Sequence, residues 1–162
     1  MTDGGVLEGK RILAVDDEPD VLEVITEQLK GMEVLTADNY HRAKELLESE
    51  KFDLVILDIM GVEGFELLKI CGDRKLPAAM FTARVVTVDA INQSLKLGAV
   101  SFLPKDELGN LRTLVEEILE GLQQGKSHWA KLFERLGPLF REKFGIMWED
   151  PDRPTDPPVY YA

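Results

Sequence analysis

The sequence has few of the residues that would point to a disulfide-rich, zinc-binding or membrane protein. It contains a single cysteine, Cys71, so no disulfide can form within the chain. Its two histidines, His41 and His128, lie far apart and suggest no zinc site. No apolar run approaches the ~18 residues that a membrane span needs. Residues 1–9 lack the apolar core of a signal peptide. We therefore expect a cytoplasmic protein with a flexible N-terminus at residues 1–9 and no membrane contact.

Basic residues are also scarce relative to acidic ones. The chain carries 19 Lys and Arg against 30 Asp and Glu, which gives a formal net charge of -11. The phosphate groups of nucleic acids and anionic membranes would be repelled, so neither is expected as a partner. A basic partner, or a cation that gathers carboxylates, fits this balance better. The apolar share is 44% of 162 residues, which is enough to build the core of one ordinary domain.

Short apolar runs alternate with amphipathic stretches along residues 10–124. Five such runs are predicted to be strands: Arg11 to Val15, Met32 to Thr36, Leu54 to Leu57, Ala78 to Phe81, and Val100 to Leu103. Apolar residues at helical spacing follow each run, with Pro19 near the first helix start, Asn39 as a cap and Gly98 as a stop. Strict β-α alternation predicts a doubly wound parallel sheet, and five strands favour the flavodoxin-like order 2-1-3-4-5.

The pattern changes after this α/β region. Residues 125–148 are predicted to form a helical extension whose apolar stripe includes Trp129 and Phe133. The stripe either docks on the rest of the chain or forms the surface of a homodimer or another partner complex. Residues 149–162 contain four prolines and are interpreted as an extended or disordered tail.

Reactive side chains stand where the predicted strands end. Asp16 and Asp17 follow the first strand and Asp58 follows the third. Thr82 follows the fourth, and the fifth leads to Lys105. The carboxyl ends of parallel strands meet at one edge of a sheet, so these groups are expected to converge. Neighbouring carboxylates resist ionising together, and Mg²⁺ relieves this. The set suits phosphoryl transfer to a carboxylate, although acids at strand ends also serve as helix caps or solubilising loops.

Four short motifs, in this order, resemble the receiver domain of two-component response regulators. They are Val15-Asp16-Asp17-Glu18, Leu57-Asp58-Ile59-Met60, Phe81-Thr82-Ala83 and Phe102-Leu103-Pro104-Lys105. Each motif is weak alone, but their order on successive strand ends is specific. The resemblance covers roughly residues 10 to 123.

The resemblance implies a role for each matching residue. Asp58 would be the phosphoacceptor, with Thr82 and Lys105 binding the phosphoryl group. Phe102 would be the aromatic switch residue that rotates inward when Asp58 is phosphorylated. A sensor histidine kinase or a histidine phosphotransfer protein would donate the phosphoryl group. The chain would catalyse only its own phosphorylation and dephosphorylation, and its output would run through contact with a protein effector.

The resemblance also implies a Mg²⁺ site at the same place. Its ligands would be Asp16, Asp17, Asp58 and the main-chain carbonyl of Met60. Asp17 would bind the ion directly, and Asp16 would hold it largely through water.

Two features depart from the family pattern. After Asp58 the chain has Val62 where a proline is common, and Gly64 comes roughly two residues earlier than the usual glycine, so the start of the third helix is hard to place. The lysine is followed by Asp106 in place of a cis proline. Because a cis non-proline bond costs about 3 kcal/mol, a trans bond is expected there. Asp106 is also a candidate cap for the fifth helix.

Two other functions remain open. The first is a pseudo-receiver, which has the same fold but acts as a binding module without phosphorylation. The second is a Mg²⁺-dependent phosphatase with an aspartyl nucleophile. Such enzymes usually carry the nucleophile on the first strand with a second acid two residues later, whereas Asp16 and Asp17 are adjacent here.

Overall fold

Strands and helices alternate along the computed structural model, which describes residues 8–82 and 88–125. The strands are β1 Arg11–Val15, β2 Glu33–Ala37, β3 Leu54–Asp58, β4 Ala78–Thr82 and β5 Ser101–Pro104. The α-helices are α1 Pro19–Gln28, α2 Tyr40–Ser49, α3 Gly64–Asp73, α4 Val88–Lys96 and α5 Leu111–Gln123. A 3₁₀ helix, Lys105–Asn110, connects β5 to α5.

The five strands form one parallel sheet in the order β2-β1-β3-β4-β5, as predicted. β3 and β4 each extend one residue beyond the prediction, to Asp58 and Thr82. The ladder continues past them, because the Ile59 amide donates to the Phe81 carbonyl at 3.2 Å. Both strands therefore end on the reactive side chains themselves.

The predicted limits of β2 and β5 were each wrong by one residue, since these strands begin at Glu33 and Ser101. For β2 the reason is visible in the main chain. The amide of Met32 donates to the Leu29 carbonyl at 3.1 Å in the turn after α1. The amide of Glu33 donates to the carbonyl of Lys10, the residue just before β1, at 2.8 Å. Met32 thus closes the helix instead of starting the strand.

The core has two layers, one on each face of the sheet. On one face, α1 and α5 cover the sheet with residues such as Ile25 and Leu114. On the other, α2, α3 and α4 contribute residues such as Leu47, Leu67 and Ile91. All five residues of β3 are buried, as expected for a central strand covered on both faces. This burial, at about 1.5–3 kcal/mol per large apolar side chain, fixes where the strand ends lie.

Local signals set the helix ends as the sequence predicts. Pro19 is the first residue of α1. The Asn39 side chain accepts a hydrogen bond from the Arg42 amide at 2.9 Å and so caps α2. Gly98 follows α4 with a φ of +96°, and its amide donates to the Leu95 carbonyl at 3.0 Å. A left-handed residue at this place is the usual glycine stop.

Cys71 is fully buried in α3, and burial raises the pKa of its thiol to about 12. In the part of the chain described, no helix is long and apolar enough to cross a membrane. Apart from Gly125, the predicted extension at residues 125–148 and the tail at 149–162 lie outside the described residues, so these domain limits stay predictions.

Candidate functional site

Two buried carboxylates stand at the carboxyl edge of the sheet. Asp16 follows β1, where its amide donates to the Ala37 carbonyl at 3.1 Å, and its side chain has no exposed surface. Asp58 ends the adjacent strand β3 with 5% of its surface exposed. Oδ1 of Asp16 accepts a hydrogen bond from the Glu18 amide at 2.9 Å, which turns the chain into α1. Strand pairing therefore brings together two acids that are far apart in the sequence.

Lys105 places its ammonium group among these acids. Its Nζ lies 2.6 Å from Oδ2 of Asp16, 3.1 Å from Oε1 of Glu18 and 3.7 Å from Oδ1 of Asp58. Among the described residues, this ion pair is the only polar contact of Asp16 Oδ2. The lysine side chain is 10% exposed, and Nζ lies 5.6 Å from the centre of the Phe81 ring. The ammonium has three N–H donors, and Asp16 and Glu18 accept two of them, so an incoming anion has to compete with these carboxylates for the position of Lys105.

The environment of Asp58 disfavours its charged form. Burial has the largest effect, and together with the nearby charge of Asp16 it raises the pKa of Asp58 to about 7. Lys105 lowers this pKa, and so does the amide of Met60, which donates to the carboxylate. Near neutral pH a large part of the protein would therefore carry a protonated Asp58 until a cation offsets the repulsion.

The acids have the opposite effect on Lys105. Burial lowers the pKa of its ammonium group, but hydrogen bonds to Asp16 and Glu18 and the charges of Asp58 and Asp16 outweigh burial and raise the pKa above its usual value. The lysine is therefore charged at neutral pH.

The acid cluster fits a hard divalent cation. One carboxylate oxygen each from Asp16, Asp17 and Glu18 lies within 4.8 Å of the other two. Gly61, in the loop after β3, has a φ of +83°, and a Cβ built on it would overlap the Asp17 carboxylate, lying 2.6 Å from its Cγ. The bare backbone at Gly61 therefore makes room for this carboxylate. Mg²⁺ prefers oxygen ligands of this kind, so the donor set suits it.

Replacing Gly61 by alanine should weaken Mg²⁺ binding. The added methyl group would push the Asp17 carboxylate away, and the left-handed backbone costs a residue with a side chain about 1–2 kcal/mol. We expect the Mg²⁺ affinity to fall by about tenfold or more, a loss typical of disturbed metal sites. Isothermal titration calorimetry with MgCl₂ measures this.

The matched control is Gly31→Ala. Gly31 also has a left-handed φ, +99°, but a Cβ there would meet only the tip of Arg112 at 4.0 Å. The control should lose similar stability and keep its Mg²⁺ affinity. Equal affinities in the two variants would show that Gly61 has no part in shaping the site.

Two further predicted site residues, Thr82 and Met60, lie at the same edge, whereas Phe102 lies within β5. Thr82 ends β4, is 6% exposed and lies beside Pro104 in the ladder. Met60 follows Asp58 by two residues with its side chain 73% exposed, and its carbonyl remains a predicted ligand. Phe102 is fully buried in the same core layer as α3 and α4, and its role as a switch stays a prediction.

The departures from the family pattern have clear structural outcomes. α3 begins at Gly64, so the short loop after β3 comprises residues 59–63, in which Glu63 takes a left-handed φ of +55°. No cis peptide occurs in the described part of the chain, so the bond after Lys105 is trans as expected. The expectation that Asp106 caps the fifth helix was wrong, because a 3₁₀ helix intervenes and α5 begins only at Leu111.

Sequence reasoning missed three residues of the site. Glu18 was named only as the last residue of the first motif and given no role, whereas its side chain contacts Lys105. Gly61 lies against Asp17, and Gly64 lies against the Asp58 carbonyl. The sequence signals were present as a third consecutive acid and as two glycines within six residues of Asp58. Neither pattern shows which atoms of the site Glu18, Gly61 or Gly64 contacts.

A five-stranded doubly wound sheet with this acidic pocket and lysine at its carboxyl edge defines the receiver class of signalling domains. The family model "Response regulator receiver domain" matches residues 12–118, which is more than half of the chain. The chain therefore belongs to the response regulator receiver family of two-component signalling.

Individual relatives agree with this assignment. Response regulator protein PilR of Pseudomonas aeruginosa is 39% identical over 134 residues, covering 78% of this chain and 30% of PilR. The transcriptional regulatory protein PhoP for alkaline phosphatase synthesis, from Bacillus subtilis, is 35% identical over 102 residues, covering 59% of this chain and 42% of PhoP. The CheY-like receiver domain structure from Methanospirillum hungatei JF-1 superimposes with a TM-score of 0.64 at 29% identity, covering 70% of this chain and 95% of that one. This chain thus matches less than half the length of both curated relatives.

Proposed function

We propose that this chain is a Mg²⁺-dependent phosphoacceptor that receives a phosphoryl group on Asp58 from a phosphohistidine donor. The observation that carries the proposal is the position of the Lys105 ammonium, 2.6 Å from Asp16 and 3.7 Å from Oδ1 of Asp58. A phosphoryl group on Asp58 requires a cation beside it, and the ammonium of Lys105 supplies one.

In the transfer step, a carboxylate oxygen of Asp58 attacks the phosphorus atom of the donor. The new O–P bond forms as the P–N bond to the donor imidazole breaks, and the imidazole takes up a proton. The product is a mixed anhydride on Asp58. Because a carboxylate is already a competent nucleophile when ionised, the step needs no general base. Attack by water on the same phosphorus atom reverses the modification and releases inorganic phosphate.

Lys105 and Thr82 bind the phosphoryl oxygens in this mechanism. The ammonium offsets negative charge on one oxygen, and the Thr82 hydroxyl donates a hydrogen bond to another. Thr82 ends β4, the neighbour of β3, and Lys105 directly follows β5, so the sheet positions both groups before the donor arrives.

Asp16, Asp17, Asp58 and the Met60 carbonyl are the residues proposed to hold Mg²⁺. A bound Mg²⁺ offsets the repulsion between the acceptor carboxylate and the phosphoryl oxygens. A bound cation would also favour the ionised form of Asp58, whose pKa is raised to about 7 by burial and by Asp16.

The donor and the output belong to the same proposal. Response regulators are phosphorylated by histidine kinases, so a sensor histidine kinase or a histidine phosphotransfer protein is the proposed donor. We propose an output through contact with a protein, because the net charge of -11 disfavours binding to nucleic acid. Phe102 is the proposed switch residue. The name of the relative PhoP describes a transcriptional regulator, and its matched part is 42% of that protein. Direct DNA binding by a longer chain is thus the competing output.

The proposal is tested by incubating the protein with acetyl phosphate and MgCl₂ and measuring its intact mass. We expect the wild type to gain one phosphoryl group, and neither Asp58→Asn nor protein treated with EDTA to gain any. Asp38→Asn, which removes an exposed acid after β2, serves as the control and should be modified at the wild-type rate. A wild type that gains no mass, with Mg²⁺ bound, would make the chain a pseudo-receiver. Continuous release of phosphate from a generic ester would indicate a phosphatase.

A further inference from the structure

Glu18 has an unusual place at the start of α1. It is the N-cap residue, yet its side chain makes no capping hydrogen bond. Its carbonyl accepts from the amides of Val21 and Leu22 at 3.1 and 3.2 Å, and its own amide donates to Asp16. Hydrogen bonds therefore hold both the amide and the carbonyl of Glu18 in place. Short side chains such as Ser or Asp are preferred at an N-cap because they can accept a hydrogen bond from the first amides of the helix. The longer side chain of Glu18 makes a different contact.

That contact is with Lys105, which lies 87 residues further along the chain. Oε1 of Glu18 is 3.1 Å from Nζ and accepts a hydrogen bond from it. The glutamate is 60% exposed, whereas the lysine is 10% exposed. Oδ1 of Asp58 is 3.7 Å from Nζ, beyond hydrogen-bond distance. The ammonium is thus held by Asp16 and Glu18, on the α1 side of the acceptor.

We propose that Glu18 is a positioning residue that restrains Lys105 and so limits how tightly a phosphoryl group is bound at Asp58. This inference rests on the proposed phosphoacceptor function. The ammonium has three N–H donors, of which Asp16 and Glu18 accept two, so a phosphoryl oxygen on Asp58 competes with these two bonds for the position of the ammonium. Asp16 is fully buried and cannot leave, whereas the exposed Glu18 can exchange its bond for water. The Glu18 bond is therefore the one that breaks.

Removing the Glu18 bond should tighten the binding of a phosphoryl mimic. Beryllofluoride, BeF₃⁻, places three fluorides where the phosphoryl oxygens would lie. With Glu18→Gln we expect its dissociation constant in excess MgCl₂ to fall about two- to fivefold, the size expected for one partly exposed ion pair. Isothermal titration calorimetry measures this without any turnover of the protein.

Two control variants separate the contact from the charge alone. Asp20→Asn removes a charge of the same sign from the same exposed turn, at a residue without a contact to Lys105 in the described part of the chain, and should leave beryllofluoride affinity unchanged. Glu18→Asp keeps the charge but is one methylene shorter, so its carboxylate lies farther from Nζ. It should bind beryllofluoride more tightly than the wild type, as Glu18→Gln does.

Each outcome decides a separate question. A wild type that binds no beryllofluoride in the presence of Mg²⁺ overturns the proposed function and this inference with it. A wild type that binds, together with Glu18→Gln of equal or weaker affinity, overturns the inference alone. Equal gains in beryllofluoride affinity in Glu18→Gln and Asp20→Asn, or a Glu18→Asp variant that behaves as the wild type, would mean that the negative charge alone, without the contact with Lys105, sets this affinity. A fall in Mg²⁺ affinity specific to Glu18→Gln would make Glu18 a metal ligand instead.

Discussion

Asp58→Asn should stabilise the Mg²⁺-free protein although it removes the proposed acceptor. The Asp58 carboxylate is 5% exposed and lies near the charges of Asp16 and Asp17, and burial with this repulsion raises its pKa to about 7. Its ionised form is therefore less favourable in the folded protein than in the unfolded chain. An amide keeps the size of the side chain and an acceptor for the Met60 amide, but has no charge. At about pH 8 we expect a gain of roughly 1–3 kcal/mol in the free energy of unfolding.

The sign of the effect gives it a distinct pH dependence. Asp58 in the unfolded chain titrates near its reference pKa of about 3.9, whereas in the folded protein it titrates near 7. Between these two values the folded state holds a proton that the unfolded state has lost. The contribution of Asp58 to stability is therefore full below about pH 4 and is lost as the pH rises towards 7. The advantage of Asp58→Asn should accordingly be near zero at about pH 4 and largest above pH 7.

Urea unfolding of both proteins in EDTA, at several pH values between about 5 and 8, measures this advantage. Saturating Mg²⁺ should reduce the difference, because the cation binds the carboxylates of the wild type and stabilises it by linkage. Asp20→Asn, at an exposed acid in the first turn of α1, is the control and should be slightly destabilising at every pH. Asp58→Asn that is less stable than the wild type at about pH 8 in EDTA would mean that the acceptor is not under electrostatic strain.

The sequence predicts the position of the site well because parallel sheets leave little freedom there. Once β1 and β3 are recognised as adjacent parallel strands, the residues after Val15 and Leu57 have to meet at one edge. Asp16 and Asp58 therefore come together regardless of how the loops run. The lysine follows for the same reason, since β5 ends at the same edge as β4. Apolar periodicity decides these contacts, and it is the strongest signal in the sequence.

The sequence does not predict contacts that depend on side-chain reach or on local turns. Several acids lie within reach of Lys105, which is the first residue of the 3₁₀ helix after β5, and the sequence does not show which of them its side chain contacts. The start of β2 depended on whether Met32 joined the preceding turn or the strand, which are nearly equal choices for one residue. Helix ends and turns of this kind vary by a residue or two at little cost in free energy.

Gly64→Ala should be strongly destabilising, against the usual effect of this substitution in a helix. Alanine is more stable than glycine in a helix interior by about 0.5–1 kcal/mol, and Gly64 is the first residue of α3. A Cβ there would overlap the carbonyl oxygen of Asp58 and lie 2.8 Å from the Cα of Ile59. Both neighbours are backbone atoms at the end of a central strand, and the Gly64 amide already donates to the Ile59 carbonyl at 3.1 Å. They cannot yield without moving Asp58, so we expect a loss of about 2–4 kcal/mol.

The same helix offers the matched control, Gly72→Ala. Gly72 lies in the last turn of α3, and a Cβ there would meet only the Leu97 carbonyl at 3.6 Å, an ordinary contact. This variant should be as stable as the wild type or more stable, by up to about 1 kcal/mol. Urea unfolding gives both free energies, and phosphorylation by acetyl phosphate should slow only in Gly64→Ala, because only that change displaces Asp58. If the two alanines had the same effect, Gly64 would be an ordinary helix residue, and the shortened loop after β3 would not depend on it.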